Sequence, residues 1–182
     1  GDEIGKWISG EKTPEFADQL AAYTDGSGNP GFGSKPYFEK PEFKDFLKQQ
    51  RPLSPSYHLQ FSEALSNFAI LCARPIVEAF DGRLIYAGGD DVVALLPADT
   101  ALACAHTLRA AFQGSPVEHP EKGTLFRSAA VGFLQSRQKD DQSRPIPFIV
   151  PGPAADCSVG IAIAHFKASL QDVVRAAQAA EK

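Results

Sequence analysis

The sequence has no methionine, even at its first position, and only one tryptophan and three cysteines among 182 residues. Cys72, Cys104 and Cys157 are odd in number and widely spaced. A disulfide framework or a zinc site requires paired or clustered cysteines, so the sequence predicts neither. We expect small core residues instead, as is usual in a reducing cytoplasm. The missing initiator methionine leads us to expect a segment of a longer chain.

Long apolar runs and an excess of positive charge are also lacking. No stretch of the sequence is long enough to cross a bilayer, and none is laid out like a signal peptide. The net charge is −4 at pH 7, which argues against a broad basic surface that binds nucleic acid phosphates. The remaining composition, with 43% hydrophobic and 22% charged residues, is typical of a globular protein.

The most distinctive stretch is an acidic turn between two apolar runs within residues 84–97. The runs are rich in β-branched and aromatic residues, which favour strands. Gly88 and Gly89 join the runs and can adopt the positive φ of a tight primed hairpin turn. Asp90 and Asp91 follow at the start of the second strand. Two carboxylates at a hairpin tip suit Mg²⁺, which prefers carboxylate oxygens, waters and substrate phosphates. For the tetrapeptide alone, a plain turn is the simpler interpretation, because Gly and Asp favour turns for conformational reasons.

Apolar periodicity predicts the surrounding elements. Residues 56–80 repeat apolar side chains at three- and four-residue steps, as a helix does. A second helix is predicted between Pro97 and Gly114. A third opens at the capping-box pattern that begins at Ser169. Strands are predicted at residues 126–134 and, as a buried strand, at 157–165.

Two segments are predicted as insertions. Residues 11–54 are rich in Gly and Pro and hold one short amphipathic helix near residues 42–49. Residues 135–156 begin with a polar loop and continue through four prolines, which exclude a central strand throughout.

With a missing first strand restored, of which only the end near Asp2 is expected in this sequence, the order is β-α-β-β-α-β followed by a C-terminal helix. This is the ferredoxin-like arrangement of the α+β class, with an antiparallel sheet against helices on one face. We expect a single domain over residues 1–182. The first strand would lie beside the hairpin, so Asp2 would join Asp90 and Asp91 at one edge of the sheet.

Carboxylates gathered in this way repel one another unless a cation neutralises them. Two Mg²⁺ ions could clamp a triphosphate there and activate a ribose hydroxyl for in-line attack. This chemistry is nucleotidyl transfer. Lys167 and Arg175 could reach phosphates, and His58 and His165 could touch a base or ribose. For each of these four residues, and for Ser62 on the first long helix, an ordinary surface role is the simpler interpretation.

Four blocks of the sequence occur in an order that identifies a family. They are residues 1–7, His58 with residues 62–69, residues 86–97 around Gly-Gly-Asp-Asp, and residues 158–167. In that order they resemble the second palm domain of the large subunit of type III CRISPR effector complexes. The resemblance is strongest to the Cmr-type (III-B) branch and spans nearly the whole chain.

This resemblance implies a palm fold shared with nucleotidyl cyclases and polymerases. It also implies conversion of ATP to cyclic oligoadenylate, a second messenger of antiviral defence, when target RNA binds. Asp90 and Asp91 would be the catalytic, metal-binding acids, and Asp2 would match an acid on the first strand. The family pattern there is Asp-Gly-Asp, so a further acid is expected just before Gly1. The expected metal is Mg²⁺ or Mn²⁺.

The nucleotide-binding residues expected from the motifs are Gly88, Gly89, Ser62 and Lys167. The expected partners are ATP, other subunits of the effector complex, and guide and target RNA contacted mainly through that complex. We expect a cytoplasmic location and no membrane partner.

Two other functions remain open from the sequence. One is a diguanylate-cyclase-like enzyme acting on GTP, although such enzymes usually carry Glu-Phe where this chain has Asp91 and Val92. The other is a non-catalytic palm that only packs against subunits and RNA. A preference for GTP would favour the first, and absence of nucleotide binding would favour the second.

Overall fold

The computed structural model describes residues 4–13, 15, 16, 40–139 and 145–181. The helices are α1 (Ile4–Ser9), α2 (Pro41–Leu47), α3 (Pro55–Asn67), α4 (Arg74–Ala79), α5 (Ala101–Phe112) and α6 (Leu170–Glu181), with a π-helix (Phe68–Ala73) between α3 and α4. The strands are β1 (Arg83–Gly88), β2 (Asp91–Leu95), β3 (Val117–His119), β4 (Gly123–Ala130), β5 (Phe133–Lys139) and β6 (Pro145–Ile149). The chain divides into two units, residues 2–61 and 62–182.

Aromatic side chains pack together among the described residues of the unit 2–61. The rings of Phe16 and Phe46 stack with centroids 4.4 Å apart. Tyr57 is 5% exposed, and the guanidinium carbon of Arg51 lies 5.6 Å from the centre of its ring. Helix α2 confirms the short helix predicted near residues 42–49.

The predicted helix at 56–80 is confirmed in extent, but it contains the unpredicted π-helix. Pro75 lies in the first turn of α4. A proline cannot donate its backbone nitrogen to the carbonyl four residues earlier, and its ring collides with that carbonyl in a regular helix. The wider turn of the π-helix immediately precedes this proline and keeps Phe68, Cys72 and Ala73 buried.

Two antiparallel sheets are formed by the described residues. One is the hairpin β1–β2, which confirms the strand pair predicted around the acidic turn, and the other has the order β3-β4-β5-β6. Phe126, Leu134 and Phe148 form the buried side of the larger sheet. The rings of Phe68 and Phe112 in α5 pack at nearly right angles, with their centroids 5.0 Å apart. The predicted α+β class with antiparallel pairing is therefore confirmed.

The region between α5 and α6 differs from the sequence prediction in two ways. The strand predicted at 126–134 is two strands, because a turn at Val131 and Gly132 reverses the chain between β4 and β5. The segment predicted as an exposed loop followed by a proline-rich stretch contributes β5 and β6. β6 tolerates Pro145 and Pro147 because it is an edge strand, where proline is allowed.

The prediction of a buried strand at residues 157–165 is wrong for this structure. That segment belongs to no helix or strand, because no strand of the described chain pairs with it. It lies against α6 instead: a Cβ added to Gly160 would collide with the backbone carbonyl of Ala177. The predicted third helix is confirmed as α6. None of the helices in the described part of the chain has the length and apolar content of a membrane span.

Candidate functional site

The acidic turn is a two-residue hairpin loop. Gly88 and Asp91 form the last paired position of the two strands, leaving Gly89 and Asp90 as the loop. Gly89 has φ +60°, whereas Asp90 does not have a positive φ. A positive φ at the first loop position alone is typical of a type II′ turn, which matches the twist of an antiparallel pair. The conformational requirement for glycine therefore falls on Gly89.

A β-bulge in β1 places Leu84 and Tyr86 on opposite faces of the hairpin. Leu84 pairs with Ala94, but Tyr86 pairs with Val93, so Ile85 is an extra residue in β1. Residues directly opposite each other in an antiparallel pair lie on the same face of the sheet. The pairs after the bulge therefore fall on alternate faces, with Tyr86, Gly88, Asp91 and Val93 on one face and Leu84, Ala87, Val92 and Ala94 on the other.

The two faces of the hairpin are buried to different degrees. Leu84, Ala87, Val92 and Ala94 are half-buried, and the π-helix and α4 contact β1. On the other face, Tyr86 is 55% exposed, Leu95 is 46% exposed and Asp91 is exposed. The part of that face around Val93 is half-buried. Asp91 therefore faces away from the helical layer, while Asp90 is half-buried in the turn itself.

This pair of carboxylates fits one kind of metal site. No third histidine, cysteine or acidic side chain completes a metal cluster among the residues that the structure describes. Asp90 and Asp91 therefore do not belong to a metal site built from described protein ligands alone. Mg²⁺ commonly binds through one or two carboxylates and completes its shell with waters and substrate phosphates. The donor set suits a cation of that type that arrives with a phosphate ligand.

The other residues predicted from the sequence are distributed over the molecule. Ser62 is exposed on α3, and Lys167 is exposed in the turn before α6, where its backbone N–H donates to His165 Nδ1 at 3.3 Å. Within the described residues, no hydrogen bond or ion pair joins Ser62 or Lys167 to the hairpin. The structure brings together Gly88, Gly89, Asp90 and Asp91. Asp2, the expected third acid, lies outside the described residues.

The link that leads into β1 is anchored by Lys122. The Nζ of Lys122 donates to the carbonyl oxygen of Ala79, near the end of α4, and to Asp81 Oδ1 at 3.1 Å. Asp81 has φ +57°. A Cβ added to Gly82 would be 2.8 Å from Leu96 Cγ and 2.9 Å from Val77 Cγ1. The tight link thus fixes where β1 begins relative to α4.

The turn between β3 and β4 is built around His119, which is 9% exposed. Its Nδ1 accepts hydrogen bonds from the backbone N–H groups of Glu121 at 3.1 Å and Lys122 at 3.0 Å. Its ring packs on Phe80 with centroids 4.5 Å apart. His119 therefore orients the turn that carries Lys122, and sequence reasoning did not single it out.

Comparison with known proteins places this geometry in a family. The family model described as "Cas10/Cmr2, second palm domain" matches residues 1–143. The "CRISPR system Cmr subunit Cmr2" of Pyrococcus furiosus is 33% identical over 178 residues, which cover 98% of this chain and 15% of that protein. The "CRISPR system CMR subunit Cmr2" of Saccharolobus solfataricus is 38% identical over 73 residues, covering 40% of this chain and 7% of that protein.

A solved structure is also similar. A chain of the "Type III-B Cmr-beta Cryo-EM structure of the Apo state" is 30% identical to this one, with a TM-score of 0.41 over 60% of this chain and 10% of that chain.

The α+β fold and its acidic hairpin thus define a domain of the palm class. The chain belongs to the Cas10/Cmr2 second palm domain family. It spans 15% of the length of one curated relative and 7% of the other.

Proposed function

We propose that this domain performs divalent-metal-dependent nucleotidyl transfer, converting ATP to cyclic oligoadenylate within a type III-B effector complex. The observation that carries the proposal is the pair of adjacent aspartates at a type II′ turn, with Asp91 on the face of the hairpin away from the helices. Support for ATP as the substrate comes from the family to which the chain belongs.

In this reaction an oxygen of a ribose hydroxyl attacks the α-phosphorus of a second nucleotide. A new P–O bond forms, the bond from the α-phosphorus to the bridging oxygen breaks, and pyrophosphate leaves while the hydroxyl proton passes to solvent. Mg²⁺ or Mn²⁺, when bound, neutralises the triphosphate and favours loss of that proton. Asp90 and Asp91 would hold the cation, with Asp2 as a further ligand.

The remaining residues have supporting roles in the proposal. Gly89 permits the turn that sets the two carboxylates next to each other. Gly88, the strand partner of Asp91, carries no side chain that would crowd a nucleotide at the turn. Ser62 and Lys167 would reach the nucleotide from α3 and from the turn before α6. The proposed partners are the other subunits of the complex, with guide and target RNA bound mainly through them.

The test uses the full-length protein in its complex with guide and target RNA. ATP or GTP is added with Mg²⁺, and the products are resolved by mass spectrometry. We expect cyclic adenylate products from the unaltered complex and at least a hundredfold less from the Asp90→Asn/Asp91→Asn variant, because removing charge stabilisation from a phosphoryl transition state is costly. Asp99→Asn, which removes an exposed carboxylate before α5, is the matched control and should retain activity.

Three results would contradict the proposal in different ways. Undiminished product from the double variant would remove the metal role of the two aspartates. Products from GTP in place of ATP would favour a diguanylate-cyclase-like enzyme. If the complete complex with target RNA bound no nucleotide, the domain would be a structural palm.

A further inference from the structure

The hydroxyl of Tyr86 lies directly beside Gly88 at the tip of the hairpin. A Cβ added to Gly88 would be 2.6 Å from the Tyr86 hydroxyl oxygen and 3.0 Å from Cζ. Both distances are far shorter than ordinary van der Waals contacts. Gly88 has no positive φ that would demand glycine, and the absence of its side chain allows the phenol of Tyr86 to lie over the strand at this position.

The pairing of the two strands places Tyr86 on the face that carries Asp91. Gly88 is the partner of Asp91, and Tyr86, two residues earlier in β1, is the partner of Val93, so the four residues share one face. The ring is 55% exposed there. The bulge at Ile85 leaves Leu84 on the opposite, half-buried face. The phenol therefore lies on the exposed acidic face of the hairpin.

We propose that Tyr86 is a nucleotide-binding residue whose hydroxyl donates a hydrogen bond to a phosphate oxygen of the nucleotide held at Asp90 and Asp91. This inference rests on the proposed function and extends it by one residue. A phenol is a neutral donor, so it can stand beside two carboxylates without neutralising them. Phosphate oxygens are strong acceptors, and a bond to a charged acceptor is stronger than one between neutral groups.

A purely structural role for the tyrosine makes a different prediction. An aromatic ring that covers a glycine on a neighbouring position of a sheet stabilises the strand by packing alone. Phenylalanine would supply the same ring. Only a role in binding requires the hydroxyl, so Tyr86→Phe separates the two possibilities.

The experiment measures Mg²⁺-dependent ATP binding and steady-state turnover by the full-length protein in its complex with guide and target RNA. We expect Tyr86→Phe to weaken ATP binding roughly tenfold, which corresponds to the loss of one hydrogen bond to a charged group. KM should rise with kcat little changed, as when uniform binding is lost. Tyr57→Phe is the control, since it removes a hydroxyl that is buried and has no hydrogen-bond partner within the described structure.

A second variant tests the geometry. Gly88→Ala places a methyl group where the Tyr86 hydroxyl lies, so it should displace the phenol and weaken ATP binding by a similar factor. The double variant Gly88→Ala/Tyr86→Phe should then be little weaker than either single variant, because both changes remove the same interaction. Fully additive losses would overturn the coupling of the two residues.

The outcomes also separate this inference from the proposed function. If Asp90→Asn/Asp91→Asn abolishes Mg²⁺-dependent binding while Tyr86→Phe binds ATP like the unaltered complex, the role of Tyr86 is overturned and the metal role stands. If the aspartate variant binds ATP normally, the proposed function fails whatever the tyrosine variant does.

Discussion

Arg109 and Asp156 meet in two parallel hydrogen bonds, from Nε to Oδ1 at 2.7 Å and from Nη2 to Oδ2 at 2.6 Å. Gln113 adds a bond to the same carboxylate at 3.3 Å, and the backbone N–H of Cys157 donates to it at 2.9 Å. One carboxylate thereby ties the segment after β6 to the end of α5. Hydrogen bonding to Arg109 holds the pKa of Asp156 below its usual value.

We predict that Asp156→Asn lowers the melting temperature at pH 7, and that the difference from the unaltered chain disappears in acid. The folded-state pKa is depressed, so the stabilisation is present above the unfolded pKa of about 3.9 and is lost as the pH falls through the lower folded value. Thermal unfolding between pH 7 and pH 2 measures this difference. Asp99→Asn is the control, and a gap between the curves of Asp156→Asn and the unaltered chain that persists at pH 2 would contradict the electrostatic explanation.

The three cysteines should react with iodoacetamide in a fixed order. Burial raises the pKa of Cys72 to about 12 and that of Cys104 to about 11, and both are 0% exposed. Cys157 is only half-buried, although burial and then the nearby Asp156 carboxylate raise its pKa too. The thiolate is the reactive species, so we expect Cys157 to be labelled first at pH 8, with mass spectrometry as the measurement. Equal labelling rates at the three positions would show that the core opens faster than it is labelled.

Burial of the Cys72 and Cys104 thiols should also make the folded protein less stable at high pH. Because their folded pKa values lie above the unfolded value of about 8.5, the stability they contribute is complete below that pH. It should decline as the pH rises toward about 11 and 12, the values for Cys104 and Cys72. Replacing Cys72 by alanine should flatten this decline in urea unfolding measured from pH 8 upward.

Two substitutions at His119 should distinguish the contribution of its hydrogen-bond acceptor from that of its aromatic ring. His119→Asn keeps a side-chain oxygen that can accept from the following backbone N–H groups, whereas His119→Phe keeps the ring and loses the acceptor. We expect His119→Phe to lower the free energy of unfolding by about 1 kcal/mol or more, since two N–H groups lose their partner. Amide hydrogen exchange at Glu121 and Lys122 is the direct measurement. It should accelerate in the phenylalanine variant and stay slow in the asparagine variant, and the reverse order would refute the assignment.

The outer edge of β6, which pairs with no strand of the described residues, should promote self-association when its prolines are removed. The backbone N–H of Val150 donates to the carbonyl oxygen of Gly132, so it points toward β5. By alternation along the strand, the backbone nitrogens of Pro145 and Pro147 point away from β5, toward the outer edge. The outward carbonyl of Ile149 is already bonded to Asn67 Nδ2 at 3.0 Å. Edge prolines hinder strand addition, so Pro145→Thr/Pro147→Val should increase self-association in sedimentation velocity experiments. Pro153→Ala, outside the strand, is the control, and an unchanged sedimentation profile of the double variant would show that the edge is protected by other means.

The acidic hairpin could be predicted from the sequence because its information is local. Gly89 and the apolar runs beside it specify a turn and two strands without reference to the rest of the chain. The bulge at Ile85 could not be predicted in this way, because apolar residues on both sides of it satisfy either register. The exposure of Tyr86 therefore became visible only in the structure.

Elements that depend on a distant partner were predicted less well. Residues 157–165 have the composition of a buried strand, but composition does not supply a neighbouring strand, and Gly160 packs against α6 instead. β5 was missed because its polar residues suggested a loop, and β6 because prolines exclude a central strand but not an edge strand. In helix α3 and its continuation, Pro75 was the available signal for the irregular turn.

The unbroken register of β2 makes the spacing from Asp91 to Ala94 a determinant of chemistry. Asp90 and Asp91 are neighbours in the chain, so their proximity survives almost any change elsewhere. The bulge at Ile85 absorbs an extra residue in β1 and leaves Asp91 on the same face. One residue more or fewer between Asp91 and Ala94 in β2 would instead transfer Asp91 to the side that the helices cover. A homologue that keeps the sequence of the acidic turn but has one residue more or fewer in this strand would therefore present its carboxylate to the helices. The spacing between these residues is as informative as their identity when a palm domain is judged active or inactive.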